Sequence, residues 1–322
     1  MRQLGKLWAY VTLAAALGAP AAQSAPEKLR VGTPEAVGFN FRLLDAGVDL
    51  GIFARENLEL ERIDLVGGAK LHQAMAAGAI DVALGGGTDL LFVAKGSPEK
   101  AVAALGTSPA NLAILVRADG PIHTIADLKG KKIAATTVGS LTSWFAMEIA
   151  RREGWGENGI SVAYIGGTES MLAGLMTNTV DAAASSLEIG YIRANEGKFR
   201  MVVKGGEYVH DFIASVIYAS DATIAERPDA LRRFLKGWFE TVRYMRDHKA
   251  EAVPLMAKIM AAPPEAIARI YDDEMPSFPV DGHFDRRALK VVEQALIDFK
   301  RIDQMPDEST LLTEAFLPAS TK

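Results

Sequence analysis

At 322 residues, with 49% hydrophobic and 23% charged residues, the chain is long enough for two domains with separate cores. A formal charge of −5 argues against nucleic acid or an anionic membrane surface as a partner. Cysteine is absent, which excludes disulfides, thiolate zinc sites, a cysteine nucleophile and a lipid-modified cysteine anchor.

The first residues read as a secretory signal. A basic start at Arg2 and Lys6 precedes an apolar run over 7–17 and a small-residue stretch over 19–25. The run is shorter than the ~20 residues a bilayer needs, so a cleaved signal is expected over 1–24, with the cut after Ser24. Its removal shifts the formal charge from −5 to −7, and the expected product is a free periplasmic protein, not a lipoprotein.

Beyond it, the pattern predicts a strand over 28–34, a helix over 41–56 and a strand over 58–65. Val66-Gly67-Gly68 then opens a short helix over 69–78, followed by Ala79-Ile80-Asp81-Val82-Ala83-Leu84-Gly85-Gly86. A helix over 89–95 and strands over 101–105 and 112–116 come next, and a first crossing between lobes is placed near Arg117. The second part starts with a helical turn closed by Gly130, a strand over 133–136, a helix over 143–154 and a strand over 161–165. Ile165-Gly166-Gly167 opens another helix over 168–178, followed by Thr179-Val180-Asp181-Ala182-Ala183-Ala184-Ser185-Ser186. Residues 212–218 read as a return crossing. Leu231, Phe234, Leu235, Trp238, Val242 and Met245 form a helical stripe, and helices over 251–260, 264–271 and 286–299 are expected to wrap back on the first lobe.

The Gly-Gly, helix, Ile/Val-Asp, small-residue strand unit therefore occurs twice, which predicts two lobes on one plan with a cleft between them. Glycines ahead of a helix let its free N–H groups approach an anion, and the carboxyl ends of the strands that follow are where open α/β sheets bind ligands. The bland alternative is a duplicated βα unit with turn glycines. Asp81 and Asp181 lie at the amino ends of their strands and read as scaffold. Trp144 reads as core or as a ring that stacks on a ligand from the helix mouth, and Trp238 reads as core.

These segments carry a resemblance. Residues 51–58, Gly67-Gly68 with 78–82, 127–133 with Gly139-Ser140, and Val180-Asp181-Ala182-Ala183 resemble the nitrate, sulfonate and taurine group of substrate-binding proteins for ABC importers, over nearly the whole mature chain. The resemblance implies the type II periplasmic-binding-protein fold: two similar three-layer α/β lobes joined by a two-strand hinge, with lobe 1 at 25–117 and 219–322 and lobe 2 at 118–218. It further implies a monomer that traps one small molecule, needs no cofactor or metal, and delivers its ligand to a permease and indirectly to an ATPase.

Gly139, Ser140, Leu141, Thr142 and Ser143 are the leading candidate site, a strand-to-helix junction where amides and hydroxyls converge, though Ser140 or Thr142 could simply cap the helix. In the first lobe Thr33, Pro34, Gly67, Gly68, Gly86, Gly87, Thr88 and Asp89 are candidates, with Thr107 and Ser108 after the strand ending at Leu105. In the second, Thr168, Glu169, Ser185, Ser186 and Glu188 complete the ring. Donors without clustered cations suit a small organic anion; Asp89, Glu169 and Glu188 suit a zwitterion or a nitrogen heterocycle.

Enzyme signatures are weak. Five scattered histidines show no metal spacing, no Gly-x-Ser-x-Gly elbow exists, and Ser97-Pro98-Glu99-Lys100 lacks the partners of a Ser-x-x-Lys site. The expectation is a binding protein, not an enzyme, with a small-molecule lyase on the same fold, or a sensory role, as alternatives.

Overall fold

The computed structural model describes residues 25–156, 158–193 and 196–319; the expected signal segment lies outside the described residues. The first half runs β1 (Glu27–Thr33), α1 (Phe39–Asp49), α2 (Ile52–Arg55), β2 (Leu58–Asp64), α3 (Gly67–Ala76), β3 (Val82–Gly86), α4 (Leu90–Ala94) and β4 (Glu99–Gly106). The second runs β5 (Leu112–Arg117), β6 (Lys132–Ala135), α5 (Leu141–Arg152), β7 (Ser161–Tyr164), α6 (Thr168–Met176), β8 (Ala182–Ser186), α7 (Leu187–Ile192) and β9 (Phe199–Lys204). After α8 (Gly205–Tyr208) and β10 (Ser215–Ser220) the chain is helical: α9 (Asp221–Glu226), α10 (Pro228–Asp247), α11 (Lys249–Met260), α12 (Pro264–Glu274), α13 (Arg286–Asp298) and α14 (Glu308–Leu311).

Two five-stranded sheets result, ordered β2-β1-β3-β10-β4 and β7-β6-β8-β5-β9. In the first, β1 is parallel to β2 and β3, and β10 runs antiparallel between β3 and β4. In the second, β6 is parallel to β7 and β8, and β5 runs antiparallel between β8 and β9. The two sheets repeat one plan, and the duplicated sequence unit supplies the equivalent pieces α3-β3 and α6-β8. Asp81 accepts the Arg30 N–H of β1 at 2.8 Å, and Asp181 accepts the Lys132 N–H of β6 at 2.8 Å. The repeated aspartates are scaffold: each ties the central strand of its sheet, β3 or β8, to the parallel neighbour β1 or β6. Burial works against the charge of Asp81, and the Arg30 hydrogen bonds override it, holding the carboxyl below its usual range.

Pairing corrects three expectations. Leu112–Arg117 belongs to the second sheet and Ser215–Ser220 to the first, so the crossings lie at 107–111, ahead of the expected Arg117, and at 205–214, which overlaps only the start of the expected 212–218. An apolar run looks alike on either side of a crossing; only the ladder decides. The expected helix over 41–56 is two helices, because Gly51 turns left-handed at φ 69° and breaks the ladder. β9 has no counterpart in the predicted elements: it is a half-exposed sheet edge without clean alternation.

The stripe of α10 is fully buried, Trp238 included, and packs on α1 and α2. Of the later helices, α11 packs on α1 and α14 on α4 and β4, as expected of the first half, but the region also reaches the second. α12 packs on α7, and just beyond α13 Arg301 Nη2 reaches Tyr164 Oη at 3.3 Å, so the C-terminal region bridges both halves. Trp144 is core, stacked on Phe212 with centroids 3.8 Å apart.

Candidate functional site

The carboxyl ends of the parallel strands of both sheets face each other, and the halves are in contact there. A Cβ on Gly67 would sit 2.8 Å from Thr137 Cγ2, so only glycine lets α3 approach the opposite loop this closely. Across the contact, Glu188 of α7 accepts the Phe39 N–H at the start of α1.

Between the halves lies a cavity of about 50 Å3. Its first-half wall contains the expected Pro34, Gly67, Gly68, Gly86 and Asp89; its second-half wall contains the expected Ser140, Leu141, Thr142 and Ser186. Glu35, Phe41, Asn111, Leu112 and Thr136 also line it and were not singled out in the sequence. Glu35 and Thr136 directly adjoin or end elements already implicated, which is the only signal they carry. Asn111 and Leu112 belong to the misplaced crossing.

The other candidates fall elsewhere. Thr33 is buried, its hydroxyl donating to Asp64 Oδ1 at 2.8 Å, in line with turn chemistry. Gly87 packs against the Ile213 carbonyl, and Thr88 and Ser185 are buried with hydroxyls that lack a hydrogen-bond partner among the described residues. Ser185 alternates with Ser186 along β8, so the two point to opposite faces. Thr107 and Ser108 line a separate cavity of about 310 Å3 beside α12, where the Thr107 hydroxyl donates to Ser277 O at 2.8 Å. Gly139 leans on Leu91, and Ser143 turns away toward Tyr164 Oη at 3.4 Å. Thr168 opens α6 outside the cavity wall, and Glu169 is exposed and paired with Arg193 on the surface.

At the leading site the hydroxyls first serve the fold. Ser140 Oγ accepts the Ser143 N–H at 3.3 Å as the cap of α5 and donates to Thr137 O at 2.8 Å, while Thr142 Oγ1 accepts the Thr136 N–H at 3.1 Å. Ser140→Ala is therefore expected to cost about 1 kcal/mol of stability in urea unfolding; a change of only a few tenths would contradict the capping role.

Electrostatically the region is acidic. Glu188 is fully buried, Glu274 of α12 is 1% exposed, and Glu35 is enclosed at its carboxyl though half-buried as a residue. Burial, reinforced by their mutual repulsion, pushes Glu35 up to about 8 and Glu274 well above its ordinary value. Burial also pushes Glu188 up to about 7 against the pull of the Phe39 N–H. Among the described residues neither oxygen of Glu274 nor Glu188 Oε2 has a hydrogen-bond partner, and a proton shared between the two carboxyls would supply one. Among the described residues no group of His, Asp or Glu is arranged to hold a metal.

Known proteins share this frame. A protein of Escherichia coli (strain K12) described as aliphatic sulfonates-binding is 26% identical over 279 residues, covering 86% of this chain and 85% of the relative. The alkanesulfonate-binding protein SsuA from Xanthomonas axonopodis pv. citri, bound to MOPS, superimposes with a TM-score of 0.73 at 18% identity, covering 89% of this chain and 96% of that one. The desulfurization enzyme DSZB superimposes at 0.64 with 17% identity, covering 90% and 97%. These structures establish the two-lobed α/β fold of periplasmic binding proteins. Residues 39–252, from α1 through both sheets into α11, match the model of the NMT1/THI5-like family, and the chain belongs to that family.

Proposed function

We propose that this protein is the solute-binding component of an ABC importer, working in the periplasm as a monomer and presenting one small organic anion or zwitterion to a membrane permease. The observation that carries this is the small cavity at the carboxyl ends of both sets of parallel strands, walled by residues of both halves. A ligand there touches both halves only when they meet, so binding favours the closed arrangement that a permease can distinguish from the open one. The sulfonate-binding description of the E. coli relative and the MOPS-bound structural neighbour support a small organic solute.

The test is a thermal-shift screen of the mature protein against sulfonates, nitrate, taurine, aminopyrimidines and aromatic acids. A true ligand at a hundred times its dissociation constant adds ~2.7 kcal/mol. Failure of every compound, with native mass spectrometry showing no co-purified molecule, would overturn the assignment. The fold shared with a desulfurization enzyme keeps catalysis as a second reading, and recovery of bound ligand chemically unchanged removes it.

A further inference from the structure

The charged groups on the cavity wall are Glu35 and Asp89; no arginine or lysine is among its lining residues. Asp89 is 2% exposed. Its Oδ2 accepts the Gly86 N–H at 2.8 Å and lies 3.2 Å from His72 Nε2. Its Oδ1 has no hydrogen-bond partner among the described residues. That oxygen lies between Gly68 and Gly86, both on the cavity wall, and a Cβ on Gly68 would come within 2.4 Å of it.

Behind Asp89 stands a buried histidine that no spacing or motif separates from the other four. His72, on α3, is 2% exposed, and its Nδ1 lies 2.9 and 3.0 Å from the two carboxylate oxygens of Glu99. Phe92 stacks on the ring with centroids 4.8 Å apart, and Tyr218 meets it edge-on at 4.9 Å. A neutral imidazole carries one N–H only, and a carboxylate beside each nitrogen favours the doubly protonated, charged ring. Burial opposes that charge, and the contacts with Asp89 and Glu99 overcome it, raising the imidazole to about 9.

Each His72 nitrogen thus faces a carboxylate, Nδ1 in hydrogen bonds to Glu99 and Nε2 in an ion-pair contact with Asp89 that lacks hydrogen-bond geometry. One positive charge sits between two negative ones, and Asp89 Oδ1 is where the excess negative charge of the row meets the cavity. A nitrate or a plain alkanesulfonate would bring like charge against it in a dry site. A donor would satisfy it.

Given that the cleft binds a small solute, we propose that Asp89 Oδ1 accepts an N–H of the ligand, from a protonated amine or an amino-substituted heterocycle, with His72 and Glu99 as positioning residues that hold Asp89 in place. Sites built to bond a polar group discriminate strongly against analogues that lack it, because the buried partner is then left unpaired.

The experiment compares matched pairs by calorimetry on the mature chain: taurine with propane-1-sulfonate, and 4-aminopyrimidine with 4-methylpyrimidine. Each pair exchanges one nitrogen donor for a methyl group. At least one amine-bearing member is expected to bind about 10-fold or more tightly than its partner. Asp89→Asn and His72→Gln are each expected to collapse that ratio to under about threefold, a change in selectivity that mere loss of stability does not produce. The comparison within the unsubstituted protein stands even where a variant fails to fold. Equal or tighter binding of the methyl members overturns the assignment while leaving the solute-binding function intact, as does a ratio that survives Asp89→Asn. If only another compound of the screen binds, the assignment holds when that compound carries an N–H donor and loses about 10-fold in Asp89→Asn, and falls otherwise. If nothing binds, both fall.

Discussion

Raising the pH from about 5 to about 8 is expected to destabilise the protein by several kcal/mol, and Glu274→Gln is expected to flatten that loss. Glu35 enters from the loop before α1, Glu188 from α7 and Glu274 from α12, so the cluster draws on both halves and the C-terminal region. Asp273 adds further negative charge beside it. The nearby cation Lys204 is already engaged, at 3.2 Å from Asp273 and 3.1 Å from Glu207. Glu35 at about 8 and Glu188 at about 7 both stand above the ordinary 4.5, so the folded protein holds protons that the open or unfolded chain releases. Such groups contribute their full stability below the ordinary value and lose it as pH rises through the folded value. For Glu188 the shift corresponds to something on the order of 3 kcal/mol. Glutamine at 274 keeps the shape without the proton, removing up to ~1.4 kcal/mol per pH unit from the slope in the window where Glu274 titrates. Urea midpoints across this pH range measure it; a flat profile in the unsubstituted protein, or stability that climbs with pH, would show that the cluster does not share protons.

The second large effect is expected at Gly87. Gly87→Ala should cost about 3 kcal/mol or more, because the new methyl would lie 1.8 Å from the Ile213 carbonyl oxygen. The obstacle is backbone, so no side chain can swing aside. The Gly87 N–H also donates to Ala214 O at 2.8 Å, and the Ala214 N–H donates to Gly106 O at 2.9 Å, locking the returning crossing between the ends of β3 and β4. Gly120→Ala is the matched control: its methyl would meet Arg117 at an ordinary 3.4 Å, with an expected change within ~0.5 kcal/mol. Equal behaviour of the two variants in urea unfolding would refute the steric argument.

Gly87 also shows where sequence reading stops. The glycine-rich end of β3 is visible as a place needing close approach, but not whether a ligand or the chain itself makes that approach. The two-lobe plan was legible because the duplicated unit states it twice, down to equivalent aspartates, and because the α10 stripe leaves no doubt about its buried face. Most of the cleft wall was legible from strand ends. Ser186 and Ser185 could not be told apart without the register that turns one inward, and Glu169 reads as a rim residue until the rotation of α6 turns it outward to Arg193. The Glu35, Glu188 and Glu274 cluster was beyond reach, since it exists only where three distant segments meet.

The strand order has a further consequence, for the order of assembly. The second sheet is made from one continuous stretch, 112–204, and can close as soon as β9 is available. The first cannot. Among the described residues its edge strand β4 pairs with no strand but β10, an isolated bridge from Ala101 to Leu312 apart, and both partners arrive after the whole second sheet has been synthesised. Until then β4 has no partner strand and β3 presents an open edge, the kind of surface that recruits foreign strands. The half of the protein that begins the chain is therefore the last to be finished, and its unfinished form is the species most in need of a chaperone.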